Sequence, residues 1–151
     1  MKRHEALNPL SHHHHHALKI SLQLKRAGTD ESDLSYKELM RDLIEFWNVD
    51  GENHFRDEEE VLFPIYLQYS ASDEHLVKEA LFQHAKIRSL VHKLRNTTEA
   101  QYDVMNELGK LLDEHVRLEE RELFPIIEKT VPEKYLYQAN GQFHRDSYSG
   151  F

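Results

Sequence analysis

The segment His54-Phe-Arg-Asp-Glu-Glu-Glu-Val-Leu-Phe-Pro64 recurs 61 residues later (115 − 54 = 61) as His115-Val-Arg-Leu-Glu-Glu-Arg-Glu-Leu-Phe-Pro125. Apolar residues at helical spacing precede both copies, which places each copy within a long amphipathic helix. A histidine and a glutamate four positions apart lie on one face of such a helix, and both can reach the same metal ion. The repeat therefore predicts a pair of metal ligands on each of two helices.

The helical phase of the two copies indicates which way these ligands point. The apolar stripe of each helix runs into the ligand pair: Leu43, Trp47, His54 and Glu58 in the first copy, and Leu108, Leu111, His115 and Glu119 in the second. Both pairs are thus expected to face the core. Because a buried carboxylate is costly unless it is paired or binds a metal, a metal ion is the simplest reason for two core glutamates.

Histidines on the other two helices are expected to complete the site. His84 is in phase with apolar residues at positions −7, −4, +3, +7 and +10 of the third helix. The same offsets applied to the run of five histidines at 12–16 in the first helix give mostly apolar residues around His14. They fit His15 less well, and it stays the alternative.

The predicted ligand set is therefore nearly symmetric: His14, or His15 in its place, and His54 for one ion, His84 and His115 for the other, and Glu58 and Glu119 between them. Imidazole and carboxylate ligands suit iron, manganese or zinc. Two bridging carboxylates favour a dinuclear centre of iron or manganese, and this set leaves open coordination positions for a small ligand such as O2.

The chain pattern predicts an all-α protein, an antiparallel up-down four-helix bundle with a short C-terminal extension. Helices are expected over about 5–26, 35–69, 73–95 and 99–129, with Ser35 and Glu38 forming a capping box. Pro64 and Pro125 are expected to kink or restart their helices. Residues 1–132 would form the metal-binding bundle, and residues 133–151 a helical turn or a disordered segment.

Composition limits the classes of function. The 151 residues carry 19 basic and 27 acidic side chains, a formal net charge of −8, which argues against nucleic-acid binding and against an anionic membrane surface. No apolar stretch approaches the roughly 20 residues that span a bilayer. Because cysteine is absent, thiolate sites and disulfides are excluded. A cytoplasmic protein, monomeric or homodimeric, is expected.

The paired motifs and the opening Leu10-Ser-His-His-His-His-His-Ala-Leu18 resemble the hemerythrin-like, His-His-Glu cation-binding family of bacteria over about residues 4–130. The resemblance implies a four-helix bundle with a non-haem di-iron centre that carries or senses O2, responds to NO, senses iron or helps repair iron–sulfur clusters. Carriers have a second histidine one turn before the third-helix ligand, where this chain has Ala80. Sensing, storage or iron handling is therefore favoured over O2 carriage.

Three further interpretations follow from the sequence. The main alternative function is a di-iron enzyme (a ferroxidase, a peroxidase-like or NO-reducing protein), although no acid, base or nucleophile beyond the ligands stands out; a mononuclear metal-binding interaction module is another. Glu59 and Glu120 are expected to be surface charges beside Arg56 and Arg117, with a bond to ligand histidines as the other possibility. The aromatic residues Trp47, Phe55, Phe63 and Phe124 are expected either to line the site or to be ordinary core.

Overall fold

The computed structural model of the chain describes residues 2–70 and 74–144, and all regular secondary structure in these two ranges is helical. A 3-10 turn at Glu5–Leu7 leads into five helical rods. These are α1 (Asn8–Arg26), α2 (residues 36–69), α3 (His75–Arg95), α4 (residues 102–130) and α5 (Glu133–Gln142). Rods α1 to α4 form the antiparallel bundle, so the predicted all-α fold is confirmed.

The second and fourth rods each contain π-helical turns. Rod α2 consists of the α-helices Tyr36–Phe46, Glu52–Asp57 and Phe63–Tyr69, joined by π turns at Trp47–Gly51 and Glu58–Leu62. Rod α4 consists of Tyr102–Leu118, a π turn at Glu119–Leu123, and Phe124–Thr130. The repeated motif thus has a repeated backbone feature, since in both copies the π turn begins at the predicted glutamate ligand.

The π turns explain why the prolines do not interrupt the rods. A proline inside an α-helix lacks an N–H, and its ring collides with the carbonyl four residues earlier. Here Phe63 donates its N–H to the Glu58 carbonyl five residues back, and the proline follows this widened turn. The prediction was that Pro64 and Pro125 kink or restart their helices. A new α-helical segment does start at each proline, although the π turn before it keeps the rod continuous.

Local sequence also explains where α2 begins and how closely α1 and α4 pack. At the start of α2 the Ser35 hydroxyl accepts from the Glu38 N–H at 3.1 Å and the Glu38 carboxylate accepts from the Ser35 N–H at 2.9 Å, so the predicted capping box is confirmed. At the crossing of α1 and α4, a Cβ on Gly109 would lie 2.8 Å from the Lys25 backbone nitrogen. The glycine lets these two rods approach closely, and Ser21 Oγ donates to the Gly109 carbonyl at 2.6 Å.

Two apolar clusters divide the core. One includes Leu24, Leu43, Ile87, Leu94 and Leu108, and the other includes Leu7, Leu10, Leu62, Leu123 and Phe124. On every rod of the bundle, the predicted ligands fall between residues of the first cluster and residues of the second. A polar layer therefore crosses the bundle with apolar packing on both sides.

The C-terminal segment forms a ten-residue helix as far as it is described. Leu136 and Ala139 of α5 are buried with Leu7 and Leu10, and Asn140 Nδ2 donates to the Ala6 carbonyl at 3.0 Å. The part of the predicted extension at 145–151 lies outside the described residues. Among the helices described, none combines the length and the apolar character that crossing a membrane requires.

Candidate metal centre

Six buried side chains from the four rods converge in the polar layer. They fall into two overlapping groups, each with its donor atoms within 4.8 Å of one another: His14, His54, Glu58 and Glu119, and Glu58, His84, His115 and Glu119. All six are at most 4 % exposed. His15, the alternative on the first helix, lies on the solvent side of α1 and is not part of either group.

The two glutamates stand between the two histidine pairs. Glu58 places Oε2 3.2 Å from His54 Nε2 and Oε1 3.0 Å from His84 Nε2. Glu119 places Oε1 2.9 Å from His14 Nε2 and Oε2 3.3 Å from His115 Nε2. Each carboxylate therefore turns one oxygen toward each half of the site, which is the orientation that a bridging ligand requires.

Several of these inward-facing atoms have no hydrogen-bond partner among the described residues. They are both carboxylate oxygens of Glu58, Oε2 of Glu119, and Nε2 of His84 and of His115. The short contacts of Glu58 are thus close approaches without hydrogen-bond alignment. Leaving a buried polar group unsatisfied costs about 1–3 kcal/mol. Imidazole nitrogens and carboxylate oxygens are ligands of first-row metals, so these residues fit the metal that the sequence implies.

The outward ring nitrogen of each histidine also has a partner. The Nδ1 distances are 2.6 Å from His14 to Glu120, 2.6 Å from His84 to Glu59, 2.7 Å from His115 to the Gln83 amide oxygen, and 3.3 Å from His54 to Nδ1 of His13. An Nδ1–H that donates outward leaves Nε2 facing the centre as the ligand atom, and such partners orient metal-binding histidines.

The placement of Glu59 and Glu120 corrects the sequence interpretation. They hydrogen-bond to histidines of the centre, whereas Arg56 pairs with Glu60 and Arg117 with Asp113. Arg88 Nη1 donates to Glu59 at 2.7 Å. Burial raises the pKa of Glu59, but the hydrogen bonds from His84 and Arg88 outweigh it and lower the pKa to about 2, so this carboxylate is ionised.

A matching arrangement exists on the other side of the centre. Arg3 Nη2 donates to Glu120 at 3.1 Å, and hydrogen bonds from His14 and Ser11 lower the pKa of Glu120 to about 2 despite its burial. Phe124 stacks on the His14 ring at 5.5 Å between centroids. Phe55 and Phe63 stack on His84 at 3.8 Å and 6.1 Å. Three of the four expected aromatic residues thus lie directly against rings of the centre.

The pKa values of the four predicted ligand histidines shift in two directions: two are lowered by burial, and two are raised by nearby carboxylates. Burial lowers the pKa of His54 to about 3 and lowers that of His115. Burial also acts against protonation of His84, but the close carboxylates of Glu119 and Glu58 and the hydrogen bond to Glu59 raise its pKa to about 11. The pKa of His14 is raised for the same kind of reason. A metal ion that binds Nε2 of His14 or His84 must therefore displace a proton.

The two core glutamates shift in opposite directions. Burial and the nearby charge of Glu119 raise the pKa of Glu58 well above its ordinary value. For Glu119 burial acts in the same sense, but the charge of the nearby His115 and the hydrogen bonds of His14 and His54 hold its pKa well below the ordinary value. A divalent cation between them would favour the ionised form of both carboxylates.

A cavity of ≈ 20 Å³ adjoins the centre. Its lining includes His14 and His54 of one predicted ion and His115 of the other, but not His84. Trp47 also lines it, and a Cβ on Gly51 would lie 2.6 Å from that ring, so the glycine leaves room for the indole at the cavity wall. The cavity surface is apolar and suits a ligand of two or three atoms.

Three buried polar residues of the site were missed by the sequence reasoning. His13 was not distinguished from its neighbours in the histidine run, and it is buried together with His14. Asp50 lies four positions before His54 on the same face of α2, and that phase was a usable signal. Nothing in the sequence marks Gln83 as a residue of the site, except that it directly precedes His84. Ala80 packs in an apolar cluster and offers no ligand atom.

A helical bundle whose polar layer holds two overlapping sets of histidine and glutamate ligands defines a class of metal-binding protein. The profile of the hemerythrin HHE cation-binding domain matches residues 6–127, which is most of the chain. The chain therefore belongs to the hemerythrin HHE cation-binding family, and the resemblance drawn from the sequence is confirmed. No curated protein and no solved structure matches the chain.

Proposed function

We propose that this chain is a non-haem di-iron protein that takes up O2 or NO for sensing, storage or iron handling. The observation that carries the proposal is the pair of ligand groups that share Glu58 and Glu119. Two groups with two common carboxylates support a dinuclear centre rather than two separate ions. Family membership and the nitrogen–oxygen donor set support iron, with manganese or zinc as alternatives.

In this proposal each ion has two histidines. His14 and His54 would hold one ion, His84 and His115 would hold the other, and the glutamates would bridge. Bound iron would supply redox chemistry and open coordination positions for a small ligand. The residues of the chain orient the imidazoles through their outer hydrogen bonds and keep bulk water away through the apolar packing on both sides of the layer.

The cavity supports uptake of a small ligand at the centre. It touches His14, His54 and His115, and its size restricts the ligand to a few atoms. Its apolar surface favours an uncharged diatomic molecule over a hydrated anion. Ala80, which leaves the second ion with one histidine fewer than an O2 carrier has, supports sensing or iron handling over reversible carriage.

The experiment is anaerobic iron loading followed by separate additions of NO and O2, with the optical spectrum as the readout. The proposal expects iron-dependent absorption changes with either gas, and loss of both iron and response in Glu58→Ala. Glu60→Ala, which removes an exposed glutamate of the same turn, is the control. Binding of less than about one iron per chain, or a loaded protein that responds to neither gas, would refute it.

Repeated turnover separates the main alternative from this proposal. A di-iron enzyme would oxidise Fe(II), or consume peroxide or NO, through many cycles per chain, whereas a sensor or store would saturate. We further propose a cytoplasmic protein, monomeric or homodimeric, that acts without nucleic acid or a membrane surface; its net charge of −8 supports this.

A further inference from the structure

A second set of metal-binding side chains lies on one side of the centre and leads outward from His54. His54 Nδ1 is 3.3 Å from Nδ1 of His13. The other ring nitrogen of His13, Nε2, is 4.0 Å from Oδ1 of Asp50. The second carboxylate oxygen of Asp50, Oδ2, accepts from Nδ1 of His16 at 2.8 Å. The His16 side chain is 32 % exposed, so these residues connect the centre to the surface.

Asp50 is the unusual member of this set. It is 3 % exposed, and its Oδ1 has no hydrogen-bond partner among the described residues. The 4.0 Å between Oδ1 and His13 Nε2 is too long for a hydrogen bond. An ion roughly 2.0–2.2 Å from each atom would fit this distance only if it lay almost between them, so we assign the ion to the unsatisfied oxygen of Asp50. A buried carboxylate with an unsatisfied oxygen is costly, and a passing cation would satisfy it.

Open space lies on both sides of Asp50. On the inner side, Asp50 and His13 line the ≈ 20 Å³ cavity that also touches His54. On the outer side, His16 lines a surface pocket of ≈ 190 Å³ together with Asp42, Glu45 and Lys19. The two carboxylates outweigh the single lysine there, so the outer pocket favours cations.

The second half of the centre has no counterpart to this arrangement. The position equivalent to Asp50 in the second motif, 61 residues later, is Leu111. Asp50 also lies in the π turn Trp47–Gly51, and at the equivalent place α4 is an ordinary α-helix. Both the residue and its backbone setting are therefore specific to the first of the two motifs.

We propose that His13, Asp50 and His16 form a transit site that takes a divalent first-row cation, Fe²⁺ in particular, from solvent and passes it to His54. The half-exposed His16 ring turns with the ion from the outer pocket, Asp50 holds the ion with its unsatisfied oxygen, and the ion enters the centre by the cavity that Asp50, His13 and His54 line. This inference rests on the proposed function, because it assumes that the centre binds a metal.

The test measures the rate of metal loading separately from the final metal content. Metal-free protein is mixed with Co²⁺ under anaerobic conditions, and the visible absorption of bound Co²⁺ is followed by stopped flow. Asp50→Asn is expected to slow loading by about tenfold or more and to leave the final Co²⁺ content unchanged. His16→Gln is expected to slow it as well. Asp103→Asn and His92→Gln, matched changes at exposed positions, are expected to load at the wild-type rate.

Each other outcome overturns the proposal. Loading of Asp50→Asn at the wild-type rate means that the ion does not pass this carboxylate. If the final Co²⁺ content of Asp50→Asn falls as much as its loading rate, Asp50 only supports the centre. If His16→Gln loads at the wild-type rate, the ion does not enter by way of His16. Wild-type protein that takes up no Co²⁺ and no Fe²⁺ refutes the proposed function itself, which is a different result.

Discussion

Glu58 is the residue at which stability and metal binding are expected to conflict most. It is fully buried, neither of its carboxylate oxygens has a hydrogen-bond partner among the described residues, and burial raises its pKa. Methionine has a similar length and no polar group to satisfy. Replacing an unsatisfied buried ionisable group by an apolar one of similar volume typically stabilises a protein by about 1–3 kcal/mol. Metal-free Glu58→Met should gain that amount over the metal-free wild type.

Thermal unfolding followed by circular dichroism measures this gain. For a domain of about 150 residues, 1 kcal/mol corresponds to about 2–4 °C in Tm, so the metal-free variant should melt about 2–12 °C higher. Iron should reverse the order. A metal at a thousandfold excess over its Kd stabilises the wild type by about 4.1 kcal/mol, which exceeds the advantage of the metal-free variant. The variant should gain little, because both ligand groups lose one of the two glutamates that they share.

Glu60→Met is the matched control for this experiment, because it removes an exposed glutamate of the same π turn. Its Tm should change little with or without iron. The reasoning would be refuted if metal-free Glu58→Met were clearly less stable than the wild type, because the carboxylate would then support the fold rather than hold a metal. An equal stabilisation of Glu58→Met and the wild type by iron would refute it too.

The remaining predictions concern the residues around the ligands. Glu59→Gln removes the anionic partner of His84 and should weaken metal affinity by about 10–100-fold, as measured by competition with a chelator. Gly51→Ala would place a Cβ 2.6 Å from the Trp47 ring, so the indole must shift at the cavity wall, and the rate of NO uptake should change at unchanged iron content, as measured by stopped flow. In metal-free protein, the stability contributed by His54 is complete above pH 6.5 and is lost toward pH 3, because its folded pKa is depressed. The contribution of His84 is complete below pH 6.5 and is lost toward pH 11, because its pKa is raised, so denaturant titrations should show stability falling on both sides of neutrality.

Helical periodicity explains why so much of the site could be predicted. A period of 3.6 residues fixes which side chains share a face, so the phase of the apolar stripes was enough to choose His14 and His84. The repeated motif then predicted the ligands on the other two rods, α2 and α4. The choice between His14 and His15 depended only on local phase, and the structure places His14 in the buried group and His15 on the outside.

Contacts between rods could not be predicted in the same way. Glu59 and Glu120 each follow a core glutamate by one position, which places them at the edge of the buried face. Whether such a side chain reaches solvent or the next rod depends on how closely the rods pack, and that distance is not encoded in one helix. Glu59 of α2 in fact reaches His84 of α3, and Glu120 of α4 reaches His14 of α1.

The π turns were missed for a related reason. The spacing of apolar residues is judged over several turns, so it does not reveal one turn that contains an extra residue. A proline in the pattern is usually interpreted as the end of a helix. In both motifs the proline instead follows a turn that begins at the glutamate. The outward partner of His54 is His13 of α1. It could not be predicted because the contact joins two rods and the phase of one helix does not report it.

Iron content per chain, combined with Mössbauer spectroscopy of the oxidised protein, tests the central claim most directly. The account predicts about two iron ions per chain that are magnetically coupled, and loss of the coupled signal in Glu58→Ala and in Glu119→Ala, since each removes a ligand common to both groups. A single uncoupled ion per chain, or an iron content that neither substitution changes, would contradict it.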